Sequence, residues 1–210
     1  MSGKLIIARH HESEWNKLGK WTGITNVGLT GYGFEMSKKM GALIKDISVD
    51  EAFASMQIRS LETLLCMEDG SACIDVPIAR SAALNERDYG DYTGKNKWEV
   101  EKEIGEKAFE DVRRGWDVPV PHGETLKMVY ARVVPFYLGT IVPLVAAGKN
   151  VLVVAHGNSL RAAVKYIERI PDEGVSSLEI PFGAIIIYDI DAEGHMVHKE
   201  ARQCESKVDA

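Results

Sequence analysis

Apolar and polar positions along this chain alternate in blocks rather than residue by residue. Leu5-Ile6-Ile7-Ala8 is a short apolar run without internal alternation, the pattern of a strand buried on both faces of a mainly parallel sheet. It stops abruptly at Arg9-His10-His11-Glu12. From Gly31 to Ile47 the residues Phe34, Met40, Leu43, Ile44 and Ile47 recur near helical spacing, with Thr30 as the candidate cap. Ala52-Phe53-Ala54 reads as a second, brief strand, and Ser55 to Glu68 as a second helix that Gly70 would stop. Between Leu84 and Pro121 the chain turns polar, with Tyr89-Gly90-Asp91-Tyr92-Thr93-Gly94 followed by charged helical stretches up to Arg113-Arg114; this predicts an elaborated loop region over about 85–122 rather than core.

Beyond Gly123, the residues Leu126, Val129, Tyr130, Val133, Tyr137, Ile141 and Leu144 mark a long amphipathic helix. Pro135 and Pro143 should bend or interrupt it. Val151-Leu152-Val153-Val154-Ala155 is the clearest strand of all; His156-Gly157-Asn158-Ser159 follows it, then a helix with Leu160, Ala163, Val164 and Ile167 on one side. Ile185 to Tyr188 and an amphipathic strand near Met196 to Lys199 complete the series. Strands alternating with helices predict an α/β protein, a three-layer α/β/α sandwich around a mostly parallel central sheet. A single domain over residues 1–210 is expected, ending in a mobile polar tail from about 202 to 210.

Composition narrows the partners. Apolar residues at 45% and charged residues at 27% are those of an ordinary packed globular protein. A net charge of −6 argues against a nucleic-acid or anionic-membrane binder, so any anionic ligand must be met by a local cluster of cations. The cysteines Cys66, Cys73 and Cys204 are odd in number and lack a CxxC spacing, which favours reduced thiols. The chain opens on a strand-like run without a leader pattern, and no stretch approaches 18 apolar residues. A cytoplasmic location is therefore expected.

Two strand ends carry the candidate chemistry. In open α/β sheets ligands gather at the carboxyl ends of strands, where helix N-termini offer unpaired N–H groups. The first strand delivers Arg9 and His10, and the late strand delivers His156 with Gly157-Asn158 opening a helix. A neutral imidazole is a competent nucleophile toward phosphorus near neutral pH. What it needs is compensation of the charge spread over the equatorial oxygens of the transferring group. Arg9, Arg59 and His156 are the candidates to supply it.

Arg9-His10-His11-Glu12-Ser13-Glu14-Trp15-Asn16 resembles the RHG(E/Q)S signature of the histidine phosphatase superfamily, and Trp21-Thr22-Gly23 stands where its phosphoglycerate mutase branch has F-T-G. Leu84-Asn85-Glu86-Arg87-Asp88-Tyr89-Gly90, Gly94-Lys95-Asn96-Lys97, Arg113-Arg114-Gly115-Trp116-Asp117, Gly123-Glu124-Thr125-Leu126 and Ala155-His156-Gly157-Asn158-Ser159-Leu160-Arg161 match that branch in the same order, between about Lys4 and Asp189. The resemblance implies a phosphoglycerate mutase-like fold. It also implies that His10 takes and returns a phosphoryl group, held by Arg9, Arg59, His156 and the backbone around Gly157, with Glu86 as general acid and base. Lys97, Arg113, Arg114 and Tyr89 would grip the far end of a phosphoglycerate, and Asn16, Thr22, Gly23 and Asn158 would line the pocket. The implied reaction interconverts 3- and 2-phosphoglycerate, with 2,3-bisphosphoglycerate as primer and intermediate and no metal, in a monomer or homodimer. Read without the resemblance, Arg113-Arg114 is a solvated helix face and Glu86 a surface ion pair.

The chain departs from the pattern at His11, where relatives carry a small residue, most often glycine, and at Ile58, where many carry a basic one. His11 would crowd the loop or point outward. A loop insertion found in many bacterial relatives is missing between Val120 and Gly123, and Met67 to Asp75 is unusually polar for a region that often supports subunit contact. Two further readings stay open: a phosphatase in which water accepts the phosphoryl group, and a non-catalytic phospholigand binder.

Overall fold

Every second residue of the inner strands is apolar on one face and its neighbour is apolar on the other, so this sheet has to be covered twice. In the computed structural model, which describes residues 3–71 and 74–204, six strands form one sheet: β1 (Leu5–Arg9), β2 (Glu51–Ser55), β3 (Ile78–Ser81), β4 (Val151–Ala155), β5 (Ala184–Ile190) and β6 (Met196–Gln203), in the order β3-β2-β4-β1-β5-β6. The strands β3, β2, β4 and β1 run parallel. Against them β5 is antiparallel to β1, and β6 is antiparallel to β5. The helices are α1 (Glu14–Lys17), α2 (Gly31–Ala42), α3 (Ile58–Gly70), α4 (Lys97–Ile104), α5 (Glu106–Arg114), α6 (Leu126–Phe136), α7 (Val142–Ala146) and α8 (Gly157–Ile167).

Leu5, Ile7, Val151, Val153 and Ala155 pack under α6, α7 and α8, while Ile6, Ala8, Leu152 and Val154 pack under α2 and α3. Each fully buried large aliphatic side chain contributes roughly 1.5–3 kcal/mol, and a strand apolar on both faces can realise that gain only between two helical layers. The expected three-layer sandwich with a mostly parallel sheet is the fold observed. Thr30 caps α2, its Oγ1 accepting the Gly33 N–H. That helix ends at Ala42 rather than Ile47. Tighter turns, in which Ile44 N–H donates to Gly41 O and Ile47 N–H to Ile44 O, carry both isoleucines into the core instead.

Pro135 lies inside α6 and Pro143 in the first turn of α7, yet the helix is not broken. A π-helical turn over Tyr137–Ile141 joins the two, with Val142 N–H reaching Tyr137 O five residues back. This wider turn carries the helical run from one proline to the next without a break. The resulting run of 21 residues, Leu126–Ala146, is long and apolar enough, by length and composition, to cross a membrane. Here Leu126, Val129, Val133, Tyr137, Ile141 and Val145 on it belong to the core under the sheet.

Three elements differ from the pattern reading. The short edge strand β3 has no apolar run, since Ala79 and Arg80 are exposed and Pro77 precedes it. The region 85–122 is more than loop: Val100, Phe109, Val112 and Val120 close on Trp21 and Tyr89 as a third small core. The last strand is exposed along nearly its whole length and extends to Gln203, so Arg202 and Gln203 are not tail. Arg202 is tied to Asp46, Nη2 to Oδ2 at 2.8 Å, and Cys204 is buried. The rest of the expected tail, residues 205–210, lies outside the described residues, as does Cys73 within the segment expected near a subunit contact.

Candidate active site

Strand register brings the two histidines together. Arg9 of β1 pairs with Ala155 of β4, so the residues that follow, His10 and His156, leave the sheet side by side, and His10 N–H extends the ladder to Ala155 O at 3.0 Å. After β1 the chain goes on to α2 on one face; after β4 it enters α8 on the other. The loops diverge there, and a crevice opens at the carboxyl edge. The imidazole rings sit edge to face, 4.9 Å between centroids.

His10 Nδ1 lies 2.6 Å from His11 O. A carbonyl only accepts, so Nδ1 carries the proton and Nε2 keeps its lone pair. Arg59 Nε–H points at that Nε2 from 3.3 Å. Burial first, and then the charges of Arg59 and Arg9, hold the His10 imidazole well below its ordinary range. His156 is depressed likewise by burial and by Arg59, with its Nε2 hydrogen-bonded to Ser55 Oγ at 2.7 Å. Arg59 is braced by Gly23 O and Thr25 O, each at 2.9 Å, and Gly23 reaches that position at φ +51°. Arg9 donates from Nη1 to Ile180 O and stacks its guanidinium on Phe182, 3.9 Å from the ring centroid. Burial lowers the pKa of Arg9 and of Arg59 to about 10, which leaves both fully charged at neutral pH.

Several buried polar atoms at this end have no protein partner: Arg9 Nε, Thr22 Oγ1 and His156 Nδ1. Leaving such groups unsatisfied costs about 1–3 kcal/mol each. A tetrahedral oxyanion beside His10 Nε2 would meet donors of this kind. Glu86 stands where this end of the cleft meets the other, its Oε1 accepting the backbone N–H of Arg87 (2.7 Å) and of Asn158 (3.2 Å). The N-terminus of α8 approaches so closely that a Cβ on Gly157 would stand 3.5 Å from the guanidinium carbon of Arg9. Asn16, Thr22 and Gly23 line the cleft around His10, although Asn16 spends its Oδ1 on Ser13 as a capping box.

The cleft continues away from His10 into an open pocket of about 570 Å³, open solvent at its mouth included, lined by Tyr89, Lys97, Arg113, Arg114, Asn158 and Arg161 among others. Arg113 and Arg114 therefore face a cavity rather than bulk solvent. Burial and the neighbouring Arg113 and Arg9 push Lys97 down to about 8. Tyr89 is fixed by Asn158, whose side-chain amide donates to its hydroxyl at 2.9 Å. All fourteen residues singled out from the sequence gather on this one cleft or, for His156, against the His10 ring. Among the described residues, no group of three or more His, Cys, Asp or Glu side chains is arranged to hold a metal ion.

Gln57, Arg161 and Glu179 escaped the sequence reading. Gln57 links the loops, donating to Gly23 O (2.8 Å) and accepting Glu86 N–H (2.7 Å); its place just after β2, at the same sheet edge, was the available signal. Arg161 orients Asn158 through Oδ1 (3.0 Å) and binds Arg114 O (2.7 Å), three residues along the helix from a residue already singled out. Ile58 opens α3, its N–H bonded to Asn26 Oδ1, and does not line the cleft.

His11 neither crowds His10 nor points outward. It turns inward on the other side of the loop and is fully buried, its ring 5.4 Å from Tyr32 and 6.0 Å from Phe182. Its Nδ1 accepts the Glu12 N–H at 2.8 Å. Burial, reinforced by Arg9, lowers its pKa to about 4. His10, His11 and His156 are thus neutral in the fold, whereas in the unfolded chain they take up protons near pH 6.5. Below that value the unfolded state binds more protons, so stability falls with pH through the window from about 6.5 toward 4. The urea midpoint should therefore drop clearly between pH 7.5 and 5.5, above the range in which carboxylates dominate. An unchanged midpoint would mean that these rings titrate freely in the fold.

The sequence profile described as Histidine phosphatase superfamily (branch 1) matches residues 5–202. A Parvibaculum lavamentivorans protein named 2,3-bisphosphoglycerate-dependent phosphoglycerate mutase is 40% identical over 202 residues, 95% of this chain and 96% of the relative. A Rhizobium etli protein of the same name is 39% identical over the same shares. Among solved structures, the alpha-ribazole phosphatase from Shigella flexneri superposes with a TM-score of 0.76 at 22% identity, covering 99% of this chain and 98% of that one. A mycobacterial glucosyl-3-phosphoglycerate phosphatase does so at 0.75 and 15%, covering 97% and 98%. At such identities the structural likeness speaks for the fold alone.

Proposed function

The chain belongs to the histidine phosphatase superfamily, and within it we propose that it interconverts 3-phosphoglycerate and 2-phosphoglycerate through a phosphohistidine at His10. The observation that carries this reading is the two-ended cleft: one set of cations around His10, and a second, with Lys97, Arg113 and Arg114, at the far end. A phosphatase acting on a simple phosphomonoester requires only the first. A substrate that bears a carboxylate as well as a phosphate requires both. The names of the relatives at about 40% identity support the same choice.

In the proposed cycle His10 Nε2 forms a bond to phosphorus as the P–O bond of a bound bisphosphate breaks. Arg9, Arg59, His156 and the Gly157 backbone neutralise the equatorial oxygens. Glu86 protonates the departing alkoxide, then takes the proton of the hydroxyl that attacks in the return step. Asn16, Thr22, Gly23 and Asn158 shape the pocket, and Tyr89, Lys97, Arg113 and Arg114 hold the carboxylate end. 2,3-Bisphosphoglycerate serves as primer and intermediate, and no step calls for a metal. Free thiols at Cys66 and Cys204 suit a cytoplasmic enzyme.

The deciding experiment is an enolase-coupled assay on 3-phosphoglycerate, run with and without added 2,3-bisphosphoglycerate. Formation of 2-phosphoglycerate that depends on the primer is expected. Release of inorganic phosphate without 2-phosphoglycerate would replace the reading with a phosphatase, in line with the names of the structural neighbours.

A further inference from the structure

The far end of the cleft holds a carboxylate that an anion site does not need. Glu179 lines it together with Arg113, Arg114 and Lys97, and its Oε1 accepts from Arg114 Nη2 at 2.9 Å. Arg114 is already paired through Nε with Glu110 Oε2 at 2.9 Å, on its own helix. Glu179 comes from another part of the chain, beside Ile180, whose carbonyl anchors Arg9. One short segment thus touches the cations at both ends. Hydrogen bonding to Arg114 keeps the Glu179 carboxyl below its ordinary range, with Arg113 and Arg9 acting in the same direction, so it is ionised at neutral pH. Its side chain is about half exposed at the rim, and the wider pocket counts five cationic side chains and two carboxylates, Glu86 being the other.

We propose that Glu179 is a specificity-determining residue that limits the negative charge accepted at the far end of the cleft, admitting a single carboxylate and disfavouring a second phosphate. The inference rests on the reading of the site as a phosphoglycerate cleft and deepens it. Coulomb repulsion from Glu179 grows with the charge of whatever lies beside Arg113 and Arg114, and with it the share of the pull of Arg114 on the ligand that the pairing cancels. A bisphosphate is held less tightly than the cation count alone predicts, and leaves or turns round more readily. A residue that merely braced Arg114 would have the opposite effect on removal, since a loosened guanidinium grips every ligand less well.

The sign of the change is therefore the test. Glu179→Gln keeps an oxygen for the Arg114 bond and removes only the charge; Glu179→Ala removes both. Calorimetric titrations of His10→Ala and of both Glu179 variants carried in that background, where no phosphoryl group can be transferred, would use glycerol 3-phosphate, 3-phosphoglycerate and 2,3-bisphosphoglycerate, whose far ends carry rising negative charge. For Glu179→Gln we expect affinity nearly unchanged for the first, about twofold tighter for the second, and roughly fivefold tighter for the third, the scale of a half-exposed ion pair. Added salt should shrink the gain. Glu179→Ala should follow the same order. Equal gains for all ligands, or weaker binding of the bisphosphate, would overturn the proposal. Because the series reads binding, its failure is separate from any failure of mutase turnover, which the coupled assay decides.

Discussion

Replacing His10 by alanine should abolish turnover, with a loss on the order of 10⁴-fold or more, while the chain stays folded. The ring is the nucleophile in the proposed cycle, and nothing else in the cleft can take its place. His156, the nearest imidazole, has its Nε2 engaged by Ser55 Oγ. Its position 4.9 Å from the His10 ring suits it to face the phosphoryl group, not to replace the attacking atom. The fold should survive because His10 belongs to none of the hydrophobic clusters beneath the sheet. Its removal strands the Arg59 Nε–H and the His11 carbonyl, a cost of roughly 1–3 kcal/mol that a domain of this size tolerates. Steady-state assays and a urea melt on the same preparation separate the two effects. A phosphate label that is acid-labile and base-stable should appear on the wild type after incubation with 2,3-bisphosphoglycerate, and be missing from the variant. Persistence of the label on His10→Ala would remove the nucleophile from the mechanism.

The phosphate end of this cleft was legible in the sequence because local rules define it. A fully apolar strand must be buried on both faces, buried parallel strands expose their carboxyl ends at one edge, and histidines placed just after two such strands meet when the strands are neighbours. The register of Arg9 with Ala155 is that rule made concrete. Where the determinant lies far off in the chain, the pattern fails. Glu179 acquires its meaning from Arg114, 65 residues away, and Gln57 from Glu86 and Gly23. No periodicity encodes such contacts. The inward turn of His11 was hidden for a related reason: the space it fills is made by Tyr32 of α2 and Phe182 of the turn before β5. The strand β3 was missed because an edge strand of four residues, half exposed, has no apolar run to announce it, and the π turn because two prolines forecast a break rather than the way round one.

Glu86→Gln should lower kcat by about 10²–10⁴-fold and leave KM unchanged or slightly reduced. The carboxylate is wedged at the boundary between the two ends of the cleft and lines both. Both of the hydrogen bonds that fix it fall on Oε1, from the backbone N–H groups of Arg87 and Asn158. A glutamine can offer its carbonyl oxygen to the same two donors, so the side chain should stay in position. What disappears is the exchangeable proton, and with it one negative charge among cations. Glu86 is a leading favourable neighbour of both Arg9 and Arg59, and its neutralisation leaves those guanidinium groups freer to attract the phosphate, hence the KM. A structural role alone would raise KM and lower the urea midpoint together. The two accounts part most sharply on a substrate whose leaving group needs no proton. With p-nitrophenyl phosphate the step that forms phospho-His10 should be almost as fast in Glu86→Gln as in wild type, because the phenolate departs without an acid. A defect equally deep on that ester and on 3-phosphoglycerate would show that Glu86 holds the cleft in shape and moves no proton.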